Sequence, residues 1–351
     1  MLHTSIKYSS LVLLCLSTLI SIQSAATELK QRIILLGDAG YSQLSPLEPS
    51  LQLAAAIAKE NSHKTKVVFL GDNIYTKGFP VLKAGQDTYN QSQLKQISYL
   101  TAQLNVAKIS GSQLYLLPGN HDWKPKQVDE QAAYIDSYAK TNKLTASLVP
   151  FDIGHDPLPE VVHLDGISLL FIDSTWWLQK HGKNIEKLNK RIDILLTQIA
   201  KDHANNTILV TSHHPIKSVG PHGNFGKIAE CIKDKKCKHS KVGDIAHPVA
   251  QEAFKTLMQR LSGLDNVIYA AGHDHSLQVF EFNNGGKTQI SLVSGAANSN
   301  KISEVGEATD NIFSLSKVGF MVLDIYQNKC QLTVYTAENG KVVFEKLLFN
   351  N

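Results

Sequence analysis

Apolar residues in this chain gather in short dense runs separated by longer segments of mixed character. "RIILLG" (32–37), "KVVFLG" (66–71), "QLYLLPG" (113–119), "ISLLFID" (167–173), "NTILVTSH" (206–213) and "NVIYAAGH" (266–273) are apolar at consecutive rather than alternate positions. Runs of this kind fit strands covered on both faces. Helical patterns lie between them, at "LEPSLQLAAAIAKE" (47–60), "QLKQISYLTAQLNVAKI" (93–109) and residues 184–203. Strand and helix in alternation predict a layered α/β domain. The last third changes character. "LQVFEFNNGGKTQISLVSG" (277–295) and "GFMVLDIYQNKCQLTVYTAENGKVVFEKLLF" (319–349) read as hairpins with Gly-Gly and Asn-Gly turns.

Composition narrows the class. With 351 residues, 43% hydrophobic and 19% charged, the chain can bury a large core. A formal charge of +4 is too small and too dispersed to suggest nucleic-acid binding. The first 26 residues read as a secretory signal: Lys7, the apolar run "LVLLCLSTLI" (11–20) and the small residues "SAA" (24–26). That run is shorter than the roughly 20 residues a bilayer requires, so no stable membrane span is expected after its removal. Residues 27–351 then form one domain, periplasmic or secreted and expected to be monomeric. In such a compartment "CIKDKKC" (231–237) reads as a local disulfide that leaves Cys330 unpaired. A thiolate metal site at Cys231 and Cys237 is the alternative.

Five strand ends carry metal-binding residue types. They are Asp38 in "GDAG", Asp72 in "GDNIY", Asn120 and His121 in "PGNHD", His213 in "TSHHP", and His273 and His275 in "AGHDH". In α/β sheets ligands gather beyond the carboxyl ends of strands, so these tips should converge. Alone, a Gly-Asp is usually a turn and a single histidine usually surface or core. Together, carboxylates, an amide and three imidazoles total about the ligand count of two metals sharing one bridge.

The ordered set Asp-x-Gly, Gly-Asp-x-x-Tyr, Gly-Asn-His-Asp, Val-x-x-His, Gly-His-x-His resembles the purple acid phosphatases among calcineurin-like metallophosphoesterases. Of these it is most similar to the small, tartrate-resistant type. "AGHDHSLQ" (271–278), "VSGAA" (293–297) and "PHG" (221–223) belong to the same likeness. The resemblance implies a layered sandwich of two mixed β-sheets flanked by helices. It also implies that Tyr75 replaces the histidine most relatives carry two residues after the first Asp, where this chain has Gly40. A phenolate is an anionic, hard oxygen donor and favours trivalent iron. By motif, Asp38, Asp72, Tyr75 and His275 resemble the ferric ligands. Asp72 as bridge, with Asn120, His213 and His273, resembles the site of a divalent iron, zinc or manganese.

The implied activity is acid phosphatase, with a metal-bound hydroxide attacking the phosphorus of a small phosphate monoester. His121 and His222 would bind phosphate or protonate the leaving group, and Asp122 would orient His121. Departures from the pattern are His214, which stands where tyrosine is usual, a shortened segment after "FIDSTWW", and an insertion at 224–247. The basic stretch 227–241, with six lysines against one Glu and one Asp, is either a flap that draws phosphates in or a solvated loop. Rival readings are a phosphodiesterase or pyrophosphatase acting on a nucleotide or lipid-linked sugar, and a non-catalytic metal-binding or adhesive protein.

Overall fold

The computed structural model describes residues 28–123, 127–150, 155–179, 185–223, 244–327 and 329–350. The expected signal segment (1–26), Cys231, Cys237 and the basic stretch 227–241 lie outside the described residues; Cys330 is a buried free thiol. Two seven-stranded sheets face one another. The first holds β1 (Gln31–Leu36), β2 (Thr65–Phe69), β3 (Gln113–Leu116) and β4 (Ala146–Leu148) in parallel. The antiparallel strands β12 (Gly319–Ile325), β13 (Lys329–Thr336) and β14 (Val342–Asn350) extend it from the β1 side.

In the second sheet β6 (Ile167–Phe171), β7 (Thr207–Thr211), β8 (Val267–Ala271) and β10 (Lys287–Ser294) run parallel. The strands β5 (Glu160–Leu164), β9 (Leu277–Asn284) and β11 (Asn311–Leu315) complete it antiparallel. Helices α1 (Pro49–Glu60), α2 (Gln91–Ser110) and α3 (Gln127–Asn142) accompany the first sheet. Helices α4 (Ser174–Gln179), α5 (Ile185–Asp202) and α6 (Pro248–Arg260) accompany the second. This is the sandwich of two mixed sheets flanked by helices that the patterning and the resemblance imply.

The consecutive apolar runs are explained by where alternate side chains go. Along β1, Ile33 and Leu35 join Val68, Leu70, Leu209, Ile268 and Leu292 between the sheets. Ile34 and Leu36 point the other way, onto Leu51, Ala55, Leu100 and Leu104 of α1 and α2. On the second sheet Val210 and Tyr269 meet Ile192, Leu195 and Phe254 of α5 and α6 in the same manner. Period-two alternation therefore buries both faces, and neither face can accept a polar side chain cheaply. Polar residues are left to the strand ends. Among the described residues no helix is long and apolar enough to cross a membrane.

Candidate metal centre

The parallel strands β1, β2, β3, β7 and β8 all end at one edge of the sandwich, where their following residues meet. Gly37 N–H donates to Ser294 O (2.7 Å), which ties the two sheets together there, while Asp38 N–H to Gly71 O (3.1 Å) and Gly272 N–H to His213 O (3.1 Å) join neighbouring strand ends within each sheet. Asp38, Asp72 and His273 leave their strands with φ of 62°, 53° and 70°. A left-handed backbone is uncommon for residues with side chains, and such strain clusters at functional sites. The turns are close-packed as well. A Cβ on Gly119 would overlap the Asp72 carboxylate and backbone.

The side chains group in two sets. Tyr75 OH donates to Asp38 Oδ1 (2.7 Å) and lies 3.0 Å from His275 Nε2. His273 N–H donates to Asp38 Oδ2 (2.7 Å) and His121 N–H to Asp72 Oδ1 (2.9 Å), so each carboxylate is aimed by a backbone amide. On the other side His213 Nε2 lies 3.0 Å from Asn120 Oδ1, 3.3 Å from Asp72 Oδ1 and 3.2 Å from His273 Nδ1. Every predicted ligand thus falls in one contiguous cluster.

The donor chemistry of this cluster fits cations. His213 Nδ1 lies 2.8 Å from Leu70 O, and a carbonyl only accepts, so the proton is on Nδ1. In the neutral ring Nε2 is then a bare lone pair, facing the oxygens of Asn120 and Asp72 and a ring nitrogen of His273. Lone pairs converging in a buried place without a proton between them call for a cation. Groups of potential ligand atoms within 4.8 Å of one another are formed by Asp38, Asp72 and His213, and by His213, His214 and His273.

Ionisation follows burial. Burial, and then the Asp38 and Asp72 charges, hold the Tyr75 phenol well above its ordinary pKa. Burial likewise pushes His273 and His214 well below theirs, helped by the neighbouring imidazoles. For Asp38, burial opposes ionisation, but the adjacent His275, by its charge and hydrogen bond, outweighs it and the carboxyl ends below its usual value.

His121 and His222 border the same cavity of about 190 Å³. His121 Nδ1 donates to Thr76 O (2.7 Å), which leaves Nε2 turned to the cleft, 3.9 Å from Asp72 Oδ2. His222 Nδ1 lies 2.7 Å from the buried carboxylate of Asp244, and its ring packs tilted against that of His273, with centres 4.1 Å apart. The expectation that Asp122 orients His121 needs correction. The Asp122 oxygens accept from the backbone N–H groups of Gly119 (2.7 Å), Asn73 (3.1 Å) and Ile74 (3.2 Å). Asp122 therefore joins the Asn120 turn to the Tyr75 loop, while Thr76 O holds the His121 ring. Burial, with the nearby Asp72 charge, raises Asp122 to about 7.

Asp244 and Asp274 were not singled out from the sequence. Asp274 accepts from His222 N–H (3.0 Å) and from Ser218 OH, so it fixes the loop that carries His222. Its position between His273 and His275 was the available signal; Asp244 had none. His214 is buried, with Nδ1 2.9 Å from Ser174 Oγ. A larger cavity of about 810 Å³, lined by Leu47, Glu48, Ile302, Lys317 and Ala337, lacks any comparable ligand set.

Residues 31–277 match the family model described as calcineurin-like phosphoesterase. The chain belongs to that family, whose members are hydrolases acting on phosphoesters. No match is found among curated proteins. Solved structures share the fold. A purple acid phosphatase from yellow lupin seeds is 14% identical, covers 90% of this chain and 53% of its own, and gives a TM-score of 0.56. GAP50, described as the anchor in the inner membrane complex of Plasmodium, is 15% identical over 92% of this chain and 90% of its own, with a TM-score of 0.54. PhoD is 12% identical over 92% of this chain and 69% of its own, with a TM-score of 0.53.

Proposed function

We propose that this protein is a binuclear, iron-containing phosphomonoesterase of the purple acid type, close to its small tartrate-resistant branch. The observation that carries this reading is the pairing of Gly40 with Tyr75. A Cβ at position 40 would lie 2.6 Å from Asp72 O, 2.8 Å from Tyr75 N and 2.9 Å from Ile74 N. Tyr75 N–H in turn donates to Gly40 O (3.1 Å). The backbone that delivers the phenol occupies the space that any side chain at position 40 would need. The imidazole is absent and a phenol stands at Asp38 and His275 instead.

Asp38, Asp72, Tyr75 and His275 would hold the ferric ion, and Asp72, Asn120, His213 and His273 the divalent one. When bound, the metals supply Lewis acidity and a water of lowered pKa. The buried phenol, held neutral by its surroundings without metal, gives up its proton only to a strong cation, which favours the trivalent ion. His222, with its Nδ1 proton directed at Asp244, keeps Nε2 for substrate; the carboxylate supports the charged ring that phosphate binding or proton donation needs. His121, held by Thr76 O, presents its Nε2 to the same cleft. Asp122 and Asp274 position the two loops and do not touch the reacting atoms. The N-terminal 26 residues support export, to the periplasm or beyond, with one copy of the chain acting alone on a small phosphorylated substrate.

Hydrolysis of a phosphodiester or pyrophosphate is the second reading, since the loops that select a substrate are not fixed by the metal ligands. A panel of model mono- and diesters, assayed with and without chelation of the metals, separates them. Monoester turnover that chelation abolishes supports the proposal. Turnover confined to diesters favours the second reading, and no turnover with either would favour a scaffold role.

A further inference from the structure

The cavity bordered by Asp72, Asn120, His121 and His222 has a cationic wall that none of the motifs includes. Lys301 and Ser303 both line it. Ile302 between them packs against the core between the sheets. Lys301 ends a single 3₁₀ turn, Ser299–Lys301, and the chain becomes extended at Ile302, so the inward anchor at Ile302 sits between two residues that both line the cleft. The segment is held at both ends: Asn300 N–H donates to Asn298 Oδ1 (2.9 Å), and Ser303 N–H to the carbonyl of His275 (2.9 Å). Lys301 Nζ lies 4.6 Å from the centre of the Tyr75 ring and 5.6 Å from that of Tyr41. Aromatic faces attract an ammonium and restrict its long stem. No described carboxylate forms an ion pair with Lys301.

A phosphate monoester dianion carries two charges on three terminal oxygens, whereas a diester carries one charge on two. We propose that Lys301 contacts the terminal oxygen that only a monoester has, and so selects monoesters over diesters at this site. This rests on the phosphomonoesterase reading and names the residue that would enforce it. Ser303, two positions on, offers a hydroxyl to the same oxygen. Exposure of Lys301 means that its replacement leaves the core untouched.

The test compares metal-loaded wild type, Lys301→Met, Lys301→Arg and, as a control from the separate larger cavity, Lys317→Met. Binding of inorganic phosphate is measured by equilibrium dialysis, and kcat/KM with p-nitrophenyl phosphate and bis(p-nitrophenyl) phosphate. Loss of one charge-assisted contact should weaken phosphate binding and lower monoester kcat/KM about tenfold, with diester kcat/KM changed by less than about twofold. Lys301→Arg should keep most of both, and Lys317→Met should match wild type. Wild type that binds phosphate, yet no better than Lys301→Met, overturns the assignment and leaves the phosphatase reading intact. Equal falls for both esters also overturn it, in favour of general electrostatic attraction. Wild type that binds no phosphate at all defeats both readings.

Discussion

Gly40→Ala adds one methyl group, and the structure sets what that methyl must displace. All three atoms it would meet, Asp72 O, Tyr75 N and Ile74 N at 2.6–2.9 Å, are backbone, so no side chain can swing away. The loop would have to move. It is clamped by Tyr75 N–H to Gly40 O (3.1 Å) and by Asn73 and Ile74 N–H to the Asp122 carboxylate (3.1 and 3.2 Å). Overpacking of this kind costs about 1–3 kcal/mol, and weakening one or two clamps adds about 1 kcal/mol. Restricting the unfolded chain offsets about 0.4–1 kcal/mol. The net expectation is a loss of about 1–3.6 kcal/mol, read from urea unfolding of the metal-free protein. Iron retained after dialysis should fall with it, because the displaced backbone carries Tyr75. Gly40→His should behave worse, with no gain from the added imidazole. A Gly40→Ala protein with wild-type urea midpoint and wild-type iron content would refute the argument that backbone packing enforces the exchange of histidine for tyrosine.

Three further outcomes follow from particular contacts. Asp244→Asn removes the charge beside His222 and should lower kcat by about 10–100-fold while metal content is unchanged; steady-state kinetics with parallel metal analysis checks it. His121→Ala should lower turnover by about 10²–10⁴ if its Nε2 donates the proton, and less for substrates with good leaving groups; equal losses across leaving groups would assign it to binding. Burial raises Asp173 to about 7 even though Trp123 Nε1–H (2.7 Å) and Trp176 N–H (2.9 Å) donate to it. With the folded value above the unfolded one, the native state binds the extra proton. Its contribution is complete below about pH 4 and is lost as pH rises to about 7, by no more than about 4 kcal/mol. Asp173→Asn should therefore reduce the fall in urea midpoint between pH 5 and 7.5 in metal-free protein, and an unchanged slope would contradict the assignment.

Much of the site could be read from the chain because parallel strands deliver their following residues to one edge. "GDAG", "GDNIY", "PGNHD", "TSHH" and "AGHDH" each pair a buried run with a turn and a donor, so residue type and position carried the information together. The hairpins of the last third were legible too, but their destinations were not. β12 lies beside β1, whereas β9 and β10 join the other sheet, a choice made by long-range packing of Met321 and Leu323 against Leu35 and Ile33. Helix α3 escaped notice because its sequence, QVDEQAAYIDSYAKTN, has few large apolar residues and buries mainly Val128, Ala132 and Ile135. The motif implies that Asp122 orients His121, whereas the turn sends its carboxylate to the backbone amides of Gly119, Asn73 and Ile74. Asp244 and Lys301 come from segments without a motif, and only folding brings them to the cleft.

The central claim, that Tyr75 serves as a phenolate ligand to ferric iron in a phosphomonoesterase, is tested most directly by the visible absorption spectrum of the oxidised, metal-loaded protein. The account predicts a purple protein with a phenolate-to-iron charge-transfer band, and Tyr75→Phe that folds yet is bleached. A colourless, iron-free wild type that hydrolyses phosphate monoesters at full rate would contradict it.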